Sequence, residues 1–461
     1  MEKIKYFYIT VYKCYNIFIM ELEPLYVEKN TFVTSNTNNA YSLIFNVKNI
    51  EKGIALEQEI NSLIPDFPND KCPSSNNTII INNMIGQGSN GTIWLVTNSG
   101  LIYDKLGSIP VVLKRTNDIT NKNIMSCNNL SSSANKIILY KCNDWLSEVI
   151  ISALMSKLLV NNTSPHFLYY YAFYTCNYAN SKNKNFKDSY NGYVLMQGVD
   201  TSFSEMLMNN IRLIDLKYKY NVQERNKKIK MFLEKLSIFL FQIFHTIYIM
   251  QYEYSMVHND LHVANILVQN ININTKYNGE QLEDIDYFEY IIGNKRYYVP
   301  NSNVLLKIVD FGYSAIYKEP QVISKRIHDK VVTRYGNTFN THVDILYFFK
   351  DIVTTIDIPG SNFELRTILK LDKDFAILLQ DIANAIFNID INFENDDMLE
   401  VNIKKLMNVF ASKEWYRSEI GNLPQIVVPY SVKPINVLNV FKKYEKPIKG
   451  IQLLGLVVSK T

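Results

Sequence analysis

The sequence predicts an α+β protein in two lobes, a small β-rich one followed by a larger, mainly helical one. Three observations carry that expectation. Apolar runs of strand length, TIIINNMIG, TIWLVTN and IPVVLKR, succeed one another early in the chain. From about Arg225 the pattern changes to helical periodicity, running to Tyr252 and returning near 343–355 and 363–388. A chain that gives its strands first and its helices afterwards segregates them in the fold.

Size and composition agree. The 461 residues are 47% hydrophobic and 20% charged, a globular composition with ample core for more than one compact unit. The net charge of +4 is spread over scattered lysines, which argues against a nucleic-acid partner. Five cysteines, odd in number and without CxxC spacing, argue against a disulfide framework or zinc site and fit a reducing, cytoplasmic setting. The apolar N-terminus is interrupted by Lys3, Lys5 and Lys13 and no small-residue cleavage site comes after it, so it makes a poor signal peptide. Leu236–Met250 is shorter than a membrane span and contains Ser237, Gln242, His245 and Thr246. A buried helix is expected there, and no transmembrane segment.

In chain order, residues 1–77 form a preface of uncertain fold that ends in PDFPNDKCPSSNN. The β-rich lobe spans 78–197. Within it, 117–143 is rich in Asn and Ser and reads mostly as a loop insertion. A helix begins at Trp145, because Leu146, Val149, Ile150, Ala153, Leu154 and Leu158 recur at helical spacing. YNGYVLMQGV is a strand running into a connector near Gly198. The helical lobe spans 198–420, with a second insertion at about 270–303. The tail, 421–461, contains VVPYSVKPINVLNVF and IQLLGLVV, apolar enough to pack on the second lobe or on a partner, or to add a core strand and helix.

Chemistry concentrates in a few places. Gly86, Gly88 and Gly91 form GxGxxG, with Gln87 and Ser89 between the glycines and Ile93 at the next apolar position. The spacing alone also serves dinucleotide folds or a plain turn. The next segment, however, is TIWLVTN, a returning strand rather than a helix. A glycine hairpin of that kind lets backbone N–H groups approach phosphate oxygens. Lys114 ends the run Val111–Leu113, and a cation on a rigid strand can neutralise phosphate if its stem is fixed. Glu148, on the helix that comes next, is the natural partner; read alone, each is an ordinary surface residue.

The segment His258-Asn259-Asp260-Leu261-His262-Val263-Ala264-Asn265 sets a carboxylate and an amide five positions apart in a polar loop. Asp260 can accept the proton of an attacking hydroxyl, and Asn265 can offer an oxygen to Mg²⁺. Downstream, Leu305–Val309 is a strand that delivers Asp310, with Phe311 and Gly312 after it. A carboxylate in that place suits a magnesium ligand. His258 and His262 lack a third partner for zinc.

These elements, in this order, resemble the eukaryotic protein-kinase signature set over about residues 78–315. GQGSNGTI is similar to the glycine-rich loop, VVLK to the strand-borne lysine, Glu148 to its helix partner, HNDLHVAN to the catalytic loop and DFG to the magnesium motif. The resemblance implies a bilobal protein-kinase-like fold with ATP and Mg²⁺ as cofactors. Gly86, Gln87, Gly88, Ser89, Gly91 and Ile93 would cover the nucleotide, and Lys114, paired to Glu148, would hold its phosphates. Met196, as gatekeeper, with Gln197 and Val199 would line the adenine. Asp260 would orient the acceptor, and Asn265 and Asp310 would bind Mg²⁺. Asp344 in THVDILYFF resembles the helix-borne aspartate that braces the catalytic loop; an Asp before an apolar run can equally be a helix cap.

Several positions depart from the pattern. Asn259 stands where arginine is usual, so activation through that contact by a phosphorylated loop is not expected. His262 stands where serine/threonine kinases carry lysine, and no APE comes after DFG. Together with the two insertions, this divergence resembles the kinases of large double-stranded DNA viruses, which implies a host-cytoplasm or virion location. The expected activity is transfer of the γ-phosphate of ATP to serine or threonine hydroxyls of a protein substrate. Two alternatives stand beside it: a small-molecule kinase of the aminoglycoside or choline phosphotransferase type, to whose loop HNDLHVANIL is similar, and a pseudokinase scaffold that binds ATP without turnover.

Overall fold

The computed structural model describes residues 79–88, 91–98, 111–120, 128–131, 138–141, 144–160, 163–168, 170–177, 189–271, 276–277, 280–281, 285–318, 321–324, 342–411, 434–446 and 453–458. The expectations for residues 1–77 and for Ser89 fall outside these. The fold is α+β and divides into two compact units. The first is Met1–Val199, Asn270–Ile285 and Asp310–Lys325; the second is Asp200–Gln269, Asp286–Val309 and Arg326–Thr461.

The first unit is organised on an antiparallel sheet. Its strands are β1 (Ile79–Gly88), β2 (Gly91–Asn98), β3 (Val111–Thr120), β6 (Tyr170–Asn177) and β7 (Ser189–Gln197), in the order β1-β2-β3-β7-β6. Two further strands, β4 (Asn128–Ser131) and β5 (Ile138–Lys141), form a hairpin, and β5 runs parallel to Gln321–Ser324. The stretch expected to be mostly loop, 117–143, therefore contributes three pieces of strand. A ladder is made by backbone groups, so polar side chains do not forbid it. Helix α1 (Asp144–Val160) buries Val149, Ile151, Leu154, Met155 and Leu158. It ends where the amides of Thr163 and Ser164 turn back onto the Leu158 carbonyl, just before Pro165.

The second unit is built around α3 (Val222–Tyr254), which comes after α2 (Phe203–Lys217). Asn221 caps α3 by accepting from the Glu224 amide, and Ser255 ends it in the left-handed region at φ 48°. By length and composition α3 could cross a membrane, but 83% of its most apolar stretch is buried within the protein. One polar residue there has a structural task. Gln242 donates to the Val304 carbonyl at 3.0 Å and accepts from the Leu306 amide at 2.9 Å. That clasps strand β9 (Val304–Ile308), which pairs with β8 (Ile266–Asn270).

The 270–303 insertion contains a hairpin, Tyr287–Ile292 with Lys295–Pro300, closed by Gly293 at φ +57°. Burial alternates along Tyr287–Ile292, sending Phe288, Tyr290 and Ile292 inward. Phe241 and His245 of α3 pack on Tyr290, and Phe241 also meets Tyr297, Phe441 and Tyr444. The end of the chain supplies a short helix, Pro434–Leu438, and the strand Leu453–Val458, which pairs in parallel with Tyr287–Ile292. The described parts of the tail, 434–446 and 453–458, add a helix and a strand and do so by packing on the rest of the second unit.

After α4 (Val343–Ile356), the periodicity read over 363–388 resolves into two helices, Leu365–Leu371 and Lys373–Phe387. Asp372 ends the first and caps the second by accepting from the Phe375 amide.

Candidate active site

In the first unit the GxGxxG motif lies at the closed end of the β1–β2 hairpin. Gly86 pairs with Ile93, Gln87 with Thr92 and Gly88 with Gly91. The strand returns as expected, so the motif is a β-hairpin and not the opening of a helix. Lys114 sits on β3 between Ile93 of β2 and Val194 of β7. Met196 is buried on β7 opposite Val112 and Tyr170; Gln197 ends that strand, and half-buried Val199 lies two residues beyond it.

Lys114 Nζ lies 2.5 Å from Glu148 Oε1 and 2.9 Å from Asp310 Oδ1. Burial alone would lower the ammonium. The two carboxylates outweigh it and hold Lys114 above the ordinary lysine range, charged at any physiological pH. Asp310 occupies the left-handed region (φ 65°, ψ 69°), a strained setting for a residue other than glycine that asparagine and aspartate tolerate best. Phe311 beside it is fully buried, and its turn packs on α1, the helix that carries Glu148.

Glu148, Ser152 and Ser156 stand at i, i+4 and i+8 on α1, a buried polar stripe on a largely apolar helix. Tyr170 of β6 faces it: its amide donates to Ser156 Oγ at 3.3 Å. Its hydroxyl, pushed up by burial, lies within the field of Glu148, Lys114 and Asp310. Neither Tyr170 nor the stripe stood out in the sequence, although serines four apart on an apolar helix, in phase with Glu148, were a readable sign.

In the second unit, the loop His258–Asn265 is held by its backbone. Fully buried Asp344 of α4 accepts from the His258 amide through Oδ2 (2.7 Å) and from the Asn259 amide through Oδ1 (2.8 Å). Of its two readings, the brace is the one observed; the Asp344 side chain does not cap its own helix. Burial pushes its carboxyl above the usual range, against the pull of His258 and of the two amides. Asn259 has φ 65°, where asparagine is among the better-tolerated residues. His258 Nε2 donates to the Val309 carbonyl at 2.9 Å, and the Val309 amide donates to the Asn265 carbonyl at 3.0 Å. The loop is thus tied to the residue that precedes Asp310.

Asn265 donates through Nδ2 to the Asp260 carbonyl at 2.9 Å and to Asp260 Oδ2 at 3.3 Å. With the amide nitrogen so engaged, the amide oxygen is the atom left to offer a metal. In the first unit, taken by itself, the partly exposed Asp310 carboxylate offers oxygen, the donor chemistry that hard Mg²⁺ requires. His262 Nε2 lies 3.6 Å from Asp260 Oδ2. A residue missed in the sequence is Asp351, whose Oδ2 accepts from the Val263 amide at 2.7 Å. Its sign was an aspartate seven positions after Asp344 in an apolar helix.

No protein-family model matches the chain. It is 35% identical over 126 residues to a protein of Acanthamoeba polyphaga mimivirus described as a "putative serine/threonine-protein kinase". The match spans 27% of this chain and 30% of that protein. Among solved structures it aligns with a MAP kinase from Leishmania major at 13% identity and a TM-score of 0.30, over 82% of this chain and 87% of that one.

Proposed function

We propose, on the premise that this chain is a divergent member of the protein-kinase-like superfamily, that it transfers the γ-phosphate of ATP to serine or threonine hydroxyls of proteins. The observation that carries this reading is the Lys114 ammonium held between Glu148 and Asp310. A buried cation kept charged by two carboxylates, one of them partly exposed, suits phosphate neutralisation beside a metal ligand better than it suits packing.

Each remaining part then has a role. The backbone of the Gly86–Gly91 hairpin covers the phosphates. Lys114 neutralises them while Glu148 fixes its stem. By the resemblance, Asp310 and Asn265 would each offer an oxygen to Mg²⁺, which when bound would offset the negative charge that gathers on the transferring group. Asp260 orients the acceptor hydroxyl and takes up its proton, with its carboxylate steadied by Asn265. Phosphoryl transfer depends on positioning and charge more than on covalent help, so these groups suffice. His262, beside Asp260, faces the same chemistry with an imidazole where a lysine is usual.

The test is transfer of labelled γ-phosphate from Mg²⁺–ATP to a panel of casein, basic proteins and small amino-alcohols, with Asp260→Ala as control. Label on protein serine or threonine that disappears in the control supports the reading. Label confined to small molecules overturns the protein acceptor, and ATP binding without transfer to any acceptor overturns the activity.

A further inference from the structure

The Val263–Asn265 turn inside the loop is a single turn of 3₁₀ helix, and the residue before it, His262, supplies no side-chain cap. The first amides of any helical turn lack an internal acceptor. Here the Val263 amide finds one on another element, at 2.7 Å on Asp351 Oδ2. That distance falls in the short range of hydrogen bonds to an ionised carboxylate. Asp344 and Asp351 are seven residues, two turns, apart on α4 and so share a face. Ile345, Leu346, Phe348 and Phe349 between them are buried apolar residues that fix the helix in the core.

We infer that Asp351 is a second anchor of this loop, a positioning residue that caps the Val263–Asn265 turn from α4 and thereby sets the Asn265 side chain. Asp344 holds the His258–Asn259 end and Asp351 the Asn265 end. Asp260 lies between the two and is bonded to Asn265. Two carboxylates on one helix thus fix both ends of the segment by its backbone amides, while Leu261 and Val263 are buried between them. The metal role of Asn265 rests on the phosphotransfer reading; the anchoring does not.

The experiment uses the full chain with Asp351→Ala and Asp351→Asn, and it has two readouts. Amide hydrogen exchange of the peptide covering Val263–Asn265 reports the anchor directly, whatever the activity. Labelled phosphate transfer at varied Mg²⁺ reports its consequence. Asp351→Ala is expected to speed exchange at the turn and to lower kcat or raise the Mg²⁺ requirement by about 10–100-fold, as loss of outer-shell support does. Asp351→Asn retains an acceptor oxygen and is expected to stay within about threefold of the parent, by the same scale. Unchanged exchange at Val263–Asn265 in Asp351→Ala overturns the anchor. Equal damage in both variants, with exchange faster throughout the second unit, also overturns it, because the residue would then serve general stability. If the parent chain transfers no phosphate, the functional reading fails while the exchange result still decides the anchor.

Discussion

Lys114 and Asp310, 196 positions apart in the chain, meet through a 2.9 Å contact between Nζ and Oδ1. Asp310 reaches this contact from a left-handed backbone. A side chain without amide or carboxylate character there would add of order 1 kcal/mol of strain. Asparagine tolerates the conformation, so the charge can be removed while the fold is kept.

Asp310→Asn is therefore expected to unfold at nearly the parental denaturant midpoint and to lose at least about 100-fold in kcat, as removal of a preorganised charged group does. Steady-state transfer assays alongside urea titration check this. Parental turnover in a folded Asp310→Asn protein would remove Asp310 from the metal site.

The Lys114–Glu148 pair separates stability from activity. Lys114→Met leaves the Glu148 carboxylate buried beside Asp310, with the intervening cation gone. It is expected to destabilise the chain by about 3–5 kcal/mol. Adding Glu148→Gln should restore most of that stability, because no uncompensated charge is then buried in their place, and restore none of the transfer. A double-mutant cycle read by urea unfolding and by labelled phosphate decides it; recovery of activity in the double variant would show that another cation holds the phosphates.

For Asp344, truncation to alanine strands the His258 and Asn259 amides without their acceptors. A loss of about 2–6 kcal/mol is expected, from roughly 1–3 kcal/mol for each of the two unsatisfied amides. Asp344→Asn presents one oxygen and one amino group to two donors, so it should fall between the parent and alanine. Equal midpoints for all three proteins would mean that the loop finds other acceptors.

A fourth expectation concerns pH. Lys307 on β9 is buried, and burial lowers its ammonium to about 7. In the unfolded chain lysine titrates near 10.4, so between about pH 7 and 10 the unfolded state binds more protons and stability rises with pH; below that window this group gives no slope. Lys307→Met lacks the group and hence the rise. The parent's stability relative to this variant should increase by on the order of 3 kcal/mol from pH 7 to pH 10. Urea midpoints at several pH values measure it, and parallel curves would show that the ammonium keeps its solvent.

Much of this arrangement was legible in the sequence where one local pattern had one physical solution. The returning strand after Gly91 separated a β-hairpin from a dinucleotide turn. The apolar period around Glu148 put that carboxylate on a helix, and the apolar run after Asp344 placed it at the start of another. Less legible were elements whose reason lies elsewhere in the fold. Asn128–Ser131 and Ile138–Lys141 form strands through backbone pairing with each other and with Gln321–Ser324, which leaves little trace in side-chain polarity. The Tyr287–Pro300 hairpin did carry its signs, the alternation of Phe288, Tyr290 and Ile292 and the Gly293-Asn294 turn. They were submerged in a stretch defined only by its excess length. Asp351 could be seen as an aspartate, but the amide it serves is 88 residues away.

The pairing of Leu453–Val458 with Tyr287–Ile292 has a consequence in time. Roughly 160 residues separate the two strands, and at a synthesis rate of about 5–20 residues per second they emerge some 8–30 seconds apart. Through that interval one edge of the Tyr287–Ile292 strand has no sheet partner on a nascent chain, and an open edge is a template for pairing with other chains. Expression that outpaces this docking step should favour aggregation over folding, and slower translation or lower temperature should raise the soluble yield.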